Sequence, residues 1–219
     1  MAGYTRAEAR DWAREKLIGA VNCTIPSFTG DLKAINEAAI RHDVRLAKSH
    51  GFIGTLGVSE VSITLPEYLE FLAICKDEAG PGCYVVHPSD IPARLIRRLI
   101  DDIPNLAVIK AEGGAPSIMG AIECHRLFGQ EVVISVPIEG DLIPLSQLMP
   151  IQLSATSDHE YYGPMIPRVM GLLRDGKYAE ATEIYWQLHP ARKAKGALAP
   201  SMHGGFFLNR QAWKFQGWL

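Results

Sequence analysis

The sequence predicts an α/β protein built on a parallel sheet, and three observations carry that reading. Short apolar runs alternate with amphipathic segments along most of the 219 residues. The runs are continuously apolar, as strands are when helices cover both faces of a sheet. A repeated strand–helix–strand order requires parallel pairing, because each crossover must bring the chain back to the same end of the sheet.

The elements follow in order. Residues 5–17 read as a helix, with Thr5 and Glu8 at capping-box spacing. LIGAVNCTI (17–25) is a buried strand closed by PSFTGD. Residues 31–50 read as a helix on Leu32, Ile35, Ala39, Val44 and Ala47, with Gly51 as its stop. FIGTLGV (52–58) is the second strand, SEVSIT a loop, and Thr64 with Glu67 opens a helix toward Gly80. CYVV (83–86) is a short third strand, and Ser89 caps a helix carrying Ile91, Leu95, Leu99 and Ile100. NLAVIK (105–110) is the fourth strand, followed by GGAPS and a helix that ends near Phe128 and Gly129. VVISVP (132–137) and IQLSATS (151–157) are the last two strands, with a short helix near 142–148 between them. Residues 160–175, 178–189 and 208–219 read as helices. Six strands favour an open doubly wound sheet over a barrel by count, since a closed (β/α) barrel has eight strands and about 250 residues.

Composition narrows the function. With 47% hydrophobic and 21% charged residues, the chain is ordinary globular material. A net charge of −2 gives no bulk attraction to nucleic acid or to an anionic membrane. No apolar run approaches the roughly 20 residues that span a bilayer. Residues 1–17 are charged and helical rather than a secretory signal, so a cytoplasmic protein is expected. Cys23, Cys75, Cys83 and Cys124 form no C-x-x-C pair and read as reduced thiols.

Nucleotide and metal signatures are missing: the chain has no GxGxxG, GxxxxGK[ST], HExxH or GxSxG. Gly113-Gly114 reads as a tight turn, and adjacent Cys124 and His125 point in different directions on a helix. Neither a metal nor a cofactor is expected. Lys110 stands out, because it follows Leu106-Ala107-Val108-Ile109 at the carboxyl end of a buried strand. Lysine is seldom buried without a partner, and α/β enzymes place their chemistry at that strand end. An amine there could attack a ketone to form an iminium; equally, Lys110 could leave the strand into solvent and pair with Glu112. The loop Gly57-Val58-Ser59-Glu60 offers a hydroxyl and backbone N–H groups that suit a carboxylate.

Several stretches resemble a known family. TIPSFTGDLKAINEAAIRHDVRLAKSHGF is similar to the opening strand, "TPF…DG" turn and first helix of the dihydrodipicolinate synthase/N-acetylneuraminate lyase family. LGVSEVSITLPEY resembles its "LGTTGE…LTPEE" segment, with one residue fewer and Val58-Ser59 in place of two threonines. IPNLAVIKAEGG resembles the "IPN…IK…SG" strand that carries the Schiff-base lysine. EGDLIPLSQLMPIQLSAT and LLRDGKYAEATEIYWQL resemble the late-barrel stretch and the helix after the eighth strand.

The resemblance implies a (β/α)8 TIM-type barrel with extra C-terminal helices in one domain, with barrel units over about 1–157 and helices over 158–219. It implies that Lys110 condenses with pyruvate or a similar 2-keto acid, in an aldolase or lyase reaction. It implies that Ser59, with the amides of Gly57 and Val58, grips the keto-acid carboxylate, and that the protein forms a homo-oligomer, dimer or tetramer. Its departure lies at Val86–His87. There the family has two more strands and a catalytic tyrosine in a "Y-N-x-P" setting, so Val86 and His87 are expected to flank a missing segment. Tyr84, Tyr161 and Tyr162 do not match that tyrosine's position. A catalytically silent relative that binds a keto acid or a protein partner is the alternative, as is a hydratase or decarboxylase using the same imine.

Overall fold

In the computed structural model, residues 5, 7–24, 26–57, 66, 70, 73, 74, 77, 78, 84–86, 93–110, 117–136, 139–155 and 162–198 are described. The strands are β1 (Gly19–Thr24), β2 (Gly54–Gly57), β3 (Tyr84–Val86), β4 (Leu106–Lys110), β5 (Val133–Ser135) and β6 (Leu153–Ala155). The helices are α1 (Ala9–Lys16), α2 (Glu37–Ser49), α3 (Ala93–Asp102), α4 (Ser117–Phe128), α5 (Leu142–Ser146), α6 (Met165–Arg174), α7 (Tyr178–Gln187) and α8 (His189–Leu198). The six strands fall in the order β2-β1-β6-β5-β4-β3. The pairs β1/β6, β6/β5, β5/β4 and β4/β3 are all parallel. Every residue of β1, β4, β5 and β6 is buried, which is the condition the apolar runs anticipate.

The chain divides into two compact units, Met1–Val21 with Gly80–Thr156, and Asn22–Ala79 with Ser157–Leu219. In the first unit, α3 and α4 bury one face of the sheet through Ile96, Ile100, Leu106, Ile109, Phe128, Val132 and Ile134. Arg97 closes the rim of this cluster. Its guanidinium grips both carboxylate oxygens of Glu131, at 2.5 and 2.9 Å, bonds Asp101, and stands 5.9 Å from the Phe128 ring. Helix α4 ends at Gly129, where a Cβ would lie 2.6 Å from the His125 carbonyl oxygen, so no side chain fits.

Helix α1 is fastened to this unit by polar clasps at helix ends, where carbonyls lack intrahelical partners. Arg10 donates to the carbonyls of Ile100 and Ile103 at the end of α3, the latter at 3.1 Å, and to Leu106 at 3.1 Å. Gln152 in turn donates to Ala13 and Leu17 at the end of α1, both at 2.9 Å. The helix itself starts at Ala9, later than residue 5. Thr5 and Glu8 do meet, through the Thr5 backbone N–H (2.9 Å) and hydroxyl (2.6 Å) on one Glu8 oxygen. These bonds hold the Glu8 carboxyl below its usual range and close a turn ahead of the helix proper.

In the second unit, α2 begins at Glu37 rather than at residue 31. The Asn36 side chain accepts the Ala39 N–H at 3.1 Å and fixes the start. Leu32, expected on the apolar face, is 77% exposed with φ 59° in a tight turn closed by Thr29. Ile35 bridges Phe28 and packs beside Ile40, Val44 and Ile74. Gly51 ends α2 with φ 91°, as the sequence anticipates. Helices α6 and α7 match their expected positions to within a few residues, and α8 falls within 158–219, where the resemblance implies C-terminal helices. The expected helix over 208–219 and the expected caps at Thr64 and Ser89 lie outside the described residues, as does His87 at the expected break. No helix among the described residues is long and apolar enough to cross a membrane.

Candidate functional site

The lysine singled out by the sequence lies at the carboxyl end of a parallel strand. Lys110 is the last residue of β4 and is only 7% exposed. Its strand reaches it through four fully buried apolar residues, so the backbone cannot turn it out to solvent without breaking the ladder. The solvent-facing reading of Lys110 is thereby excluded.

Register defines which groups share its face. Lys110 pairs with Ser135, Ile109 with Ile134, and Val108 with Val133. Ile109 and Ile134 belong to the cluster beneath α3 and α4, so their side of the sheet is the helix side. Side chains alternate along a strand, which puts Lys110, Ser135, Val108 and Val133 on the opposite face. Ser135 in turn pairs with Leu153 on β6. Lys110 and Ser135 therefore stand side by side at the carboxyl ends of adjacent parallel strands, about 4.8 Å apart in the pairing direction. Ser135 is completely buried, and its hydroxyl oxygen has no hydrogen-bond partner. Ser154, one strand further on, does have one: it donates to the Val136 carbonyl at 2.7 Å. Sequence reasoning missed Ser135. Its signal was a serine interrupting the apolar run VVISVP at the same height as Lys110, which only a register could reveal.

Of the three residues expected to hold a carboxylate, Gly57 ends β2, while Val58 and Ser59 lie outside the described residues. Tyr161 lies outside them too. Tyr162 is buried in the second unit. That unit carries a separate cavity of about 330 Å³ lined by Asn22, Val44, Ala47, Lys48, Phe52 and Thr55, among others. Its polar groups are partly matched: the Thr24 and Thr55 hydroxyls bond one another, while buried Asn22 Oδ1 has no partner. Among the described residues no group of three or more His, Cys, Asp and Glu could hold a metal ion.

No family model matches the chain, and no curated protein matches it by sequence. Solved structures do match. The N-acetylneuraminate lyase of Fusobacterium nucleatum is 13% identical, with a TM-score of 0.60 over 83% of this chain and 85% of that one. Its complex with pyruvate matches with a TM-score of 0.56 over 92% and 87%. The 4-hydroxy-tetrahydrodipicolinate synthase of Methylacidiphilum fumariolicum SolV is 14% identical, with a TM-score of 0.65 over 91% and 94%. The described residues therefore share, with the lyases and synthases that the sequence motifs resemble, an α/β fold of parallel strands alternating with helices.

Proposed function

We propose that this chain is a member of the dihydrodipicolinate synthase/N-acetylneuraminate lyase family, and that it cleaves or forms a carbon–carbon bond of a 2-keto acid through an imine on Lys110. The observation that carries the reading is a single lysine buried at the carboxyl end of a parallel strand, in the setting IPNLAVIKAEGG. The neighbour crystallised with pyruvate is consistent with a small keto acid as ligand.

The chemistry follows from the amine. Neutral Lys110 Nζ attacks C2 of the keto acid, the keto oxygen leaves as water, and a protonated imine remains. Its nitrogen accepts the electron pair released when the bond from C3 to the departing aldehyde carbon breaks. The resulting enamine takes a proton at C3, and water returns the keto acid and the free amine. Condensation runs the same steps backwards. In this reading Ser59 and the amides of Gly57 and Val58 hold the keto-acid carboxylate. In the same reading the six described strands belong to a (β/α) barrel of that family's type.

The test is incubation with pyruvate and borohydride, followed by intact mass and peptide mapping. Lys110 should gain the mass of pyruvate less one oxygen atom. No adduct, or an adduct on Lys33 or Lys48, overturns the assignment.

A further inference from the structure

The hydroxyl of Ser135 has no task in anything derived so far. It is fully buried and without a hydrogen-bond partner, although such groups nearly always find one. It stands in register with Lys110, on the same face and at the same strand end. Buried polar groups left unsatisfied are costly, and functional sites are where such a cost is retained.

We infer that Ser135 is a substrate-contacting residue that makes this site specific for 2-keto acids. The inference rests on the Lys110 imine proposed above. A hydroxyl can accept one hydrogen bond and donate another. The imine of a 2-keto acid offers a partner for each. Its nitrogen carries one N–H, which donates to Ser135 Oγ. Its carboxylate, attached to the same C2 carbon, accepts the Ser135 O–H. Both bonds involve a charged partner, the stronger kind, and both exist only once the adduct has formed on the neighbouring strand. A simple ketone or aldehyde also forms an imine, but it leaves the Ser135 O–H unsatisfied. A site that hydrogen-bonds a substrate group discriminates strongly against analogues lacking it, because its own buried group is then unpaired.

The experiment compares the rates of borohydride trapping by pyruvate and by acetone in the wild-type protein, Ser135→Ala and Ser135→Thr. The wild type should trap pyruvate far faster than acetone. Ser135→Ala should trap pyruvate roughly tenfold slower or worse while its acetone rate changes little, and Ser135→Thr should recover part of the preference. Equal loss for both ketones would mean a structural role and would overturn the inference, as would an unchanged pyruvate rate. Absence of any wild-type adduct on Lys110 would overturn the parent reading as well, so the two failures are distinguishable. Misfolding does not obscure the result, because thermal unfolding is measured in parallel. Removing an unsatisfied hydroxyl should leave Ser135→Ala at least as stable as the wild type, and a marked fall in its melting temperature would show that the hydroxyl has a structural partner.

Discussion

Two lysines of this molecule invite opposite readings. Lys110 is buried at a strand end beside a hydroxyl that nothing satisfies. Lys48 lines a cavity of about 330 Å³, yet it is exposed on the last turns of α2. The proposed imine favours Lys110, because it needs an amine held out of water at a place where the sheet aims other groups at it. The difference teaches that a reactive amine is recognised by what its backbone forces on it more than by the space beside it.

The sharpest way to break that contrast is to remove each amine in turn. Lys110→Ala should abolish borohydride trapping of pyruvate, and Lys48→Ala should leave its rate within about twofold of the wild type. Loss of trapping in Lys48→Ala with retention in Lys110→Ala would reverse the comparison. The proposed carboxylate loop comes next. Ser59→Ala should raise KM roughly tenfold with kcat nearly unchanged, since the carboxylate contact exists in ground and transition states alike. Steady-state kinetics that leave KM untouched would make Ser59 a bystander.

The same contrast explains what the sequence could disclose. Lys110 was legible because a charged residue closing a five-residue apolar strand violates the burial rule by itself. The strands were legible for the related reason that β1, β4, β5 and β6, buried at every residue, are predominantly apolar. Ser135 was not, because a serine within an apolar run is ordinary until a register places it beside Lys110. The start of α2 was misread because Leu32 and Ile35 extend the helical spacing backwards. The competing signal, Asn36 as a cap, looks like any other polar residue in a window read for hydrophobicity. The clasp of Arg10 on α3 joins residues 90 and more positions apart, and no local pattern carries such a pairing.

Stability offers a second pair of regions. The first unit is held at its base by Arg10, whose guanidinium and Nε satisfy three carbonyls at once. Arg10→Met keeps the apolar stem but removes the donors. It should destabilise folding by about 2–3 kcal/mol, because hydrogen bonds to a charged group are lost and partly buried carbonyls are left open. A urea midpoint unchanged from the wild type would show that water replaces the clasp. In the second unit, Asn36→Ala removes a single cap and should cost about 1 kcal/mol. A circular-dichroism melt that ranks Asn36→Ala below Arg10→Met in stability would invert the ordering.

The smallest effect expected is one of sign. Arg97 and Glu131 in the first unit match their charges, and the Glu131 carboxyl is held below its usual range chiefly by the Arg97 hydrogen bonds. Asp43, on α2 of the second unit, is half-buried and moves the other way. Burial raises its pKa, and the charge of His42 offsets that only in part. For a carboxyl raised in the folded state, the stabilising difference is fully present below the unfolded value of about 3.9 and is lost as pH rises through the folded value. At neutral pH the ionised Asp43 therefore works against folding. Asp43→Asn keeps the size and removes the charge. It should be more stable than the wild type at pH 7, by less than the Asn36 effect because the side chain retains some water. That advantage should shrink as the pH falls and Asp43, whose carboxyl is raised above its usual range by burial, takes up its proton. Urea titrations of both proteins at pH 7 and pH 5 measure this directly. A variant less stable than the wild type at pH 7 would mean that the Asp43 carboxylate has a stabilising partner, and that the second unit settles its charges as the first one does.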